Sequence, residues 1–570
     1  MSKAIRIFAL AAAAAGAAIA YKKFSEKAER ADDENKAILY RAQEQGNRQA
    51  YIVGGGLGSL AAAAYLVRDC GFEGKNIHVF EGLHLLGGAN DGCGDAQHGF
   101  LCRGGRMLNE ETYENFWELF STIPSLELPG RSVTEEILAF DAAHPTHARA
   151  RLVDKDGGIL DVRSMGFTQK ERLALGRLLV TPEEKLDDMT IADWFAETPH
   201  FFETNFWHMW QTTFAFQTWS SLFEFRRYMN RMILEFPRIE TLEGVTRCRY
   251  NQYDSVILPL QRYLEAHGVE LIADTTVTDL DFAEEDGITV SALHCLDANG
   301  ESSVKISPDD ICIVTTGGMC DSSTLGDYST PAPVPEEKAI SGELWAKMAA
   351  KKPGLGNPYP FFEKTEETNW ESFTVTSRGN RLLKLIESFS GNIPGSGALM
   401  TFKDSSWKMS IVVAAQPHFK NQPMDVTVFW GYGLYTDRIG DYVHKPMKDC
   451  TGEEILTELM HQLHMEDQLE AVKSDIINVI PCYMPYVDAH FEPRKMSDRP
   501  QVVPAGSTNL GLIGQYVETP EDMVFTEEYS VRTARIAVYT LLGIDRKICP
   551  VTPYNRDPKV LATALKTAYR

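Results

Sequence analysis

The clearest early apolar run is Gln49-Ala50-Tyr51-Ile52-Val53, a β-type stretch that ends on Gly54-Gly55-Gly56-Leu57-Gly58-Ser59. An Ala-rich stretch from Leu60 to Val67 follows at once and predicts a helix. Asn76-Ile77-His78-Val79-Phe80-Glu81 is a second predicted strand, closed by a carboxylate 22 residues beyond Ser59. Two later runs have the same character. Asp310 to Gly318 reads as a buried strand and a tight turn, and Leu510 to Tyr516 as another that leads into a helix near Phe525. Between them, Phe201 to Phe236 is dense in Phe and Trp and carries Met209, Met229 and Met232. Stripes of this kind usually form core.

Strand, glycine turn and helix in this order give the glycine motif a meaning that it lacks alone. Gly54 permits the tight turn, and Gly56 lets the backbone approach a pyrophosphate at the helix N-terminus, with Gly55, Leu57 and Gly58 completing the loop. Ser59 stands at the third glycine position and is small enough for close helix–strand packing. Glu81 is expected to hold the adenosine ribose hydroxyls and to disfavour a 2′-phosphate. Leu85-Leu86-Gly87-Gly88 resembles the second glycine signature of flavoproteins, and the later strands, with Gly514 after the last, match returns of the chain to an FAD sheet. No second GxGxxG follows a strand, so a separate nicotinamide domain is unsupported and FAD is expected rather than NAD. The predicted fold class is α/β: a Rossmann-type FAD-binding domain with an inserted substrate domain and a helical C-terminal part.

At 570 residues the chain exceeds one minimal core, which predicts two or more lobes around a shared cofactor. Its net charge of −23 argues against nucleic acid as a partner. An anionic lipid stays open, because a local Arg or His can dominate inside a pocket. The ten cysteines are dispersed, without CxxC or zinc spacing, and read as reduced thiols with no metal site. Lys3 and Arg6 flank an apolar run from Ile7 to Ala20, and Lys22-Lys23 follow it. Three readings fit residues 4–20: a marginal single-pass anchor, a signal peptide, or an Ala-rich helix lying on a surface. The lysines after the run and the cytosol-type cysteines weigh against secretion, so the expected location is cytoplasmic-face, with membrane association through this segment. Residues 24–47 read as a solvated helical spacer.

With these elements in place, the chain resembles the oleate hydratase family, the myosin-cross-reactive antigens, from Tyr51 to about Leu542. The motifs that carry the resemblance are Arg103-Gly104-Gly105-Arg106, Thr204-Asn205-Phe206-Trp207 through Phe216, Glu224-Phe225-Arg226-Arg227-Tyr228 and Tyr250-Asn251-Gln252-Tyr253-Asp254-Ser255. Thr401-Phe402-Lys403-Asp404-Ser405, Gln416-Pro417-His418-Phe419, Met484-Pro485-Tyr486 and Gly514-Gln515-Tyr516-Val517-Glu518 complete them. The resemblance implies an FAD-dependent lyase that hydrates cis-9 unsaturated free fatty acids to 10-hydroxy acids without net redox. It implies Tyr228 as proton donor, and the loop Gly104, Gly105 and Arg106 in positioning water. Arg103 and Glu518 join the cofactor contacts, and Gln252 and His418 hold the substrate carboxylate.

The chain departs from the family pattern at Met107, where the best-known members carry a Glu thought to activate water; Met accepts no proton. Glu110 and Glu111 stand close by, but two acids before a helix are more often capping and dipole partners. Two other carboxylate-anchoring positions look changed to Val412 and Ala414. Two alternatives carry over from the residues: a redox flavoenzyme of desaturase or amine-oxidase type sharing only the cofactor fold, and a catalytically silent lipid-binding protein. The expected domain order is an apolar segment and spacer (1–46), the first part of the FAD domain (47–170), an aromatic helical substrate lobe (171–245), the FAD-domain return (246–330), a substrate domain (331–500), the closing strand and helix (501–548) and a tail (549–570). Oligomeric state is left open.

Overall fold

The computed structural model describes residues 46–570, apart from residue 106 and residues 285–286, 337–338 and 397–398. The N-terminal apolar run and most of the spacer therefore lie outside the described residues. Among those described, no helix is long and apolar enough to cross a membrane.

Strands β1 (Ala50–Val53), β2 (Ile77–Phe80), β3 (Glu270–Ile272), β4 (Ile311–Thr315) and β5 (Leu510–Ile513) form one parallel sheet in the order β5-β4-β1-β2-β3. The near-continuous apolar character of β1, β4 and β5 follows from cover on both faces: Ile52, Ile311, Ile313 and Leu510 are fully buried. Helix α1 (Leu57–Cys70) leaves the glycine turn after β1 and ends at Gly71, whose φ of 70° is the left-handed conformation that stops helices. Ala61 to Ala64, which span nearly a full turn, are all fully buried. A helix over Glu527–Leu541 packs against it so closely that a Cβ on Gly58 would lie 3.4 Å from the Ser530 carbonyl oxygen. The chain passes from β1 to β2 on one side, and β4 pairs with β1 on the other. That reversal opens a crevice beyond the carboxyl end of β1, where open α/β sheets bind ligands.

A second, seven-stranded sheet runs in the order Thr324–Leu325, Ile476–Met484, Trp370–Arg378, Val426–Gly433, Ser410–Val412, Leu399–Phe402 and Leu152–Val153. Most of it comes from the expected substrate domain. Leu152–Val153, on the nucleotide side of the boundary expected at 170, is nevertheless hydrogen-bonded into this sheet beside Thr401 and Phe402. The aromatic segment forms helices α2 (Asn205–Phe214), which packs on the Leu399–Phe402 strand, and α3 (Leu222–Arg231). Thr204 and Ser221 cap them by accepting the Trp207 and Glu224 backbone N–H groups. The aromatic stripe is mainly core: Phe195 stacks on Phe201 at 3.7 Å, and Phe206, Trp210 and Phe225 are fully buried. Phe214, Tyr228 and Met232 are the members of that stripe that also reach a cavity.

Candidate active site

The glycine turn forms one wall of a cavity of about 400 Å³. Gly87 N–H donates to the Gly55 carbonyl at 2.9 Å, and a Cβ on Gly88 would lie 3.2 Å from the Gly56 Cα, so the second glycine signature packs straight onto the first. Gly54 has φ +99° and a Cβ there would press on Thr315; a Cβ on Gly55 would strike Glu81. Gly56 is different. Its φ of −75° suits any residue, and an added Cβ would meet nothing nearer than the Gly88 Cα at 3.9 Å. The chain itself does not require glycine there, whereas a ligand seated on the backbone does. The α1 N-terminus opens beside it with no side-chain cap and no acid in the first turn, which leaves its N–H groups to an anionic group. This cradle fits the pyrophosphate of FAD.

Glu81 closes the adenosine side. Its carboxylate accepts N–H bonds from Gly55 at 2.6 Å and Leu83 at 2.9 Å, and burial raises its pKa against those bonds. Each oxygen keeps a lone pair for a ribose hydroxyl. Glu81→Ala is expected to weaken FAD binding by about 1–3 kcal/mol, measured by titrating the flavin-free protein with FAD. An unchanged affinity would hand the ribose to another residue.

Two smaller cavities adjoin the loop that follows Arg103. Arg103 lines the nucleotide cavity and pairs with Asp91 at 2.8 Å. Gly104 and Gly105 line a cavity of about 50 Å³ together with Gln252, His418, Val412 and Ala414. Gly105 also lines a third cavity, of about 100 Å³, with Met107, Phe214, Tyr228 and Trp370. Trp430 is common to the second and third cavities, and Phe525, Thr526 and Glu527 are common to the third and the nucleotide cavity. The Arg103–Gly105 loop thus stands where all three meet.

Tyr228 is buried on α3, with Phe214 and Phe216 edge-on at 5.3 and 5.0 Å. Its hydroxyl donates to the Val524 carbonyl at 2.6 Å. Burial holds its pKa well above the phenol value, and nearby Tyr113 and carboxylates add to the shift, so the proton stays on at neutral pH. The adjacent arginines point elsewhere, as helical spacing requires: Arg226 to Glu183 at 3.0 Å, and Arg227 to Glu518 at 2.6 Å. Burial, and then the charge of Arg247, lower His418 to about 4, which makes it a neutral hydrogen-bonding group.

The expected cofactor residues Gly54 to Gly58, Glu81, Gly87, Gly88, Arg103 and Gly514 all line the nucleotide cavity. Ser59 stands behind it, its hydroxyl 3.0 Å from that of Thr315, in the packing role of a third glycine. Gly104 and Gly105 line the two smaller cavities instead. Glu518 does not line the nucleotide cavity: its carboxylate accepts from Arg227 and Arg494, at 2.6 and 2.9 Å, inside a buried ion cluster. Arg106 lies outside the described residues. Glu110 is exposed and Glu111 pairs with Arg238 at 3.0 Å; neither lines the third cavity. The carboxylates that do line it are Glu235 and Glu527. Glu235 is held by Asn109 and Arg238. Glu527 accepts from Asn90 Nδ2 at 2.8 Å. Sequence reading missed both; in the case of Glu527, an acid in the first turn after Thr526 carries only the signal of a helix start.

The family model of the MCRA family matches residues 47–539. A linoleate hydratase of Lactiplantibacillus plantarum is 41% identical over 562 residues, covering 91% of this chain and 98% of the relative. An oleate hydratase of Streptococcus pyogenes serotype M49 is 39% identical over 512 residues, covering 88% and 86%. Among solved structures, cyclohexylamine oxidase from Brevibacterium oxydans shares the fold at 12% identity, with a TM-score of 0.50 over 87% of this chain and 99% of that one.

Proposed function

The chain belongs to the MCRA family, and on that premise we propose that it is a fatty acid hydratase, adding water across the cis-9 double bond of free unsaturated fatty acids such as oleate and linoleate to give 10-hydroxy acids. The observation that carries this reading is the shared wall: Gly105 and Trp430 join the cavity of Gln252 and His418 to that of Tyr228, which in turn meets the nucleotide cavity at Phe525 to Glu527. A fatty acid is an extended piece of core with one polar end, and this arrangement offers it apolar walls, a polar pocket and a protonated phenol. FAD, when bound, supplies an electrostatic and shaping surface beside the loop and takes up no net electrons.

In this reading Tyr228 Oη gives its proton to one alkene carbon, and a water held at the Gly104–Gly105 backbone bonds to the other. The second proton of that water returns to the phenolate, so the sum is alkene plus water. The Phe214, Trp370 and Trp430 walls exclude bulk water from the electron-poor carbon. Met107 lines the same cavity and accepts no proton, which leaves placement rather than strong basicity as the means of adding water.

Incubation of the FAD-loaded protein with oleate, without oxygen or an electron acceptor and with or without dithionite, is expected to give a product heavier by one water, read by mass spectrometry. A product short of two hydrogens, formed only with an acceptor, would establish the redox alternative. Oleate bound and recovered unchanged would establish a lipid-binding protein.

A further inference from the structure

The second cavity contains a cation that forms no ion pair with any described residue, Asp141 acting on it only from beyond ion-pair distance. Thr246 ends a short strand paired with Leu108, and the next residue, Arg247, lines this cavity beside Gln252 and His418. Its backbone N–H donates to Asp141 Oδ1 at 3.0 Å. Its guanidinium makes no hydrogen bond or ion pair with any described residue, and Nε and Nη2 are shielded from solvent without a partner. Three other buried arginines are each held by two carboxylates. Arg227 is held by Glu183 and Glu518, Arg231 by Glu114 and Asp522, and Arg494 by Glu224 and Glu518. Burial lowers Arg247 only to about 10, so it remains charged at neutral pH beside a neutral His418.

A shielded charge without a partner is costly, and its persistence points to an anion that arrives from outside. We propose that Arg247 binds the carboxylate of the fatty acid, with Gln252 and His418 as its neutral hydrogen-bonding companions. This rests on the hydratase reading for the identity of the anion. Val412 and Ala414 line the same cavity and have no polar side-chain atom to offer, so the charged anchor falls to Arg247. A guanidinium presents paired N–H groups in the fork that a carboxylate matches, and a charge-assisted pair formed away from water discriminates strongly against an uncharged head group.

The test compares wild type, Arg247→Met and Arg247→Lys as FAD-loaded full chains, with oleate and oleyl alcohol as probes. Arg247→Met is expected to weaken oleate binding, read by direct titration, by roughly 10- to 100-fold. The KM for oleate should rise by more than kcat falls. The preference for oleate over oleyl alcohol should collapse, and Arg247→Lys should restore part of it. The melting temperature of Arg247→Met should not fall, since no bonded partner is removed; a variant that unfolds would show that Arg247 is structural and overturn the proposal. Retained preference for oleate in Arg247→Met would overturn it too. Wild type that binds oleate through Arg247 but returns it unhydrated would overturn the hydratase reading and leave the anchor standing.

Discussion

Tyr228→Phe is expected to lower the initial rate of oleate hydration by about 10²–10⁴-fold, whereas Glu110→Gln and Glu111→Gln each retain most of it. Protonating an unactivated alkene is the demanding half of the reaction, so its proton must come from a fixed donor. Phenylalanine keeps the ring contacts with Phe214, Phe216 and Phe491 and loses only the hydrogen bond to the Val524 carbonyl. The fold should survive that loss of about 1 kcal/mol. The folded pKa of Tyr228 is raised, so the proton-bearing form is present throughout the neutral range and is lost only as pH rises through a value well above 10. The rate should accordingly show no fall assignable to Tyr228 between neutrality and the ordinary phenol pKa. Initial rates of folded, flavin-loaded variants decide the matter. A fast Tyr228→Phe enzyme would sink the acid assignment, and a dead Glu110→Gln or Glu111→Gln variant would show that the loop has relocated its base.

The parts of this molecule that were legible in sequence are those that a short stretch determines alone. β1, the glycine turn and α1 lie within Ala50–Cys70, and β2 with its terminal Glu81 repeats the logic, because strand period, tight turn and helix start are local. The Arg103–Gly105 loop and Tyr228 were marked by motif, and their meeting at adjoining cavities depends on the fold. What was not legible depends on partners far along the chain. That the Glu518 carboxylate is held by Arg227, 291 residues away, is one such feature. Leu152–Val153 is too short to announce a strand and becomes one only beside Thr401 and Phe402. Arg247 looks like any basic residue between Thr246 and Cys248. That it forms no ion pair with any described residue is a property of everything around it, so no window of sequence contains the signal.

Gly56→Val is expected to leave the flavin-free fold intact while weakening FAD binding by roughly 10²–10³-fold. The two effects separate because the position is free of strain. Its φ of −75° and ψ of 176° lie in the extended region open to any residue, and a Cβ would come no closer than 3.9 Å to the Gly88 Cα. Gly54, at φ +99°, and Gly55, whose Cβ would lie 2.7 Å from a Glu81 oxygen, would not make the same test, since substitution there damages the chain first. Valine is a poorer N-cap than glycine, which should cost the flavin-free protein about 1 kcal/mol. A branched side chain on Gly56 occupies the space in which the pyrophosphate sits and pushes it from the α1 N-terminus, so close packing and the helix-end attraction are lost together. Melting of the flavin-free protein and its titration with FAD read the two quantities independently. A variant that cannot fold would show that the chain requires glycine here after all. One that binds FAD like wild type would move the pyrophosphate off this turn, and with it the basis for placing FAD beside the Gly104–Gly105 loop.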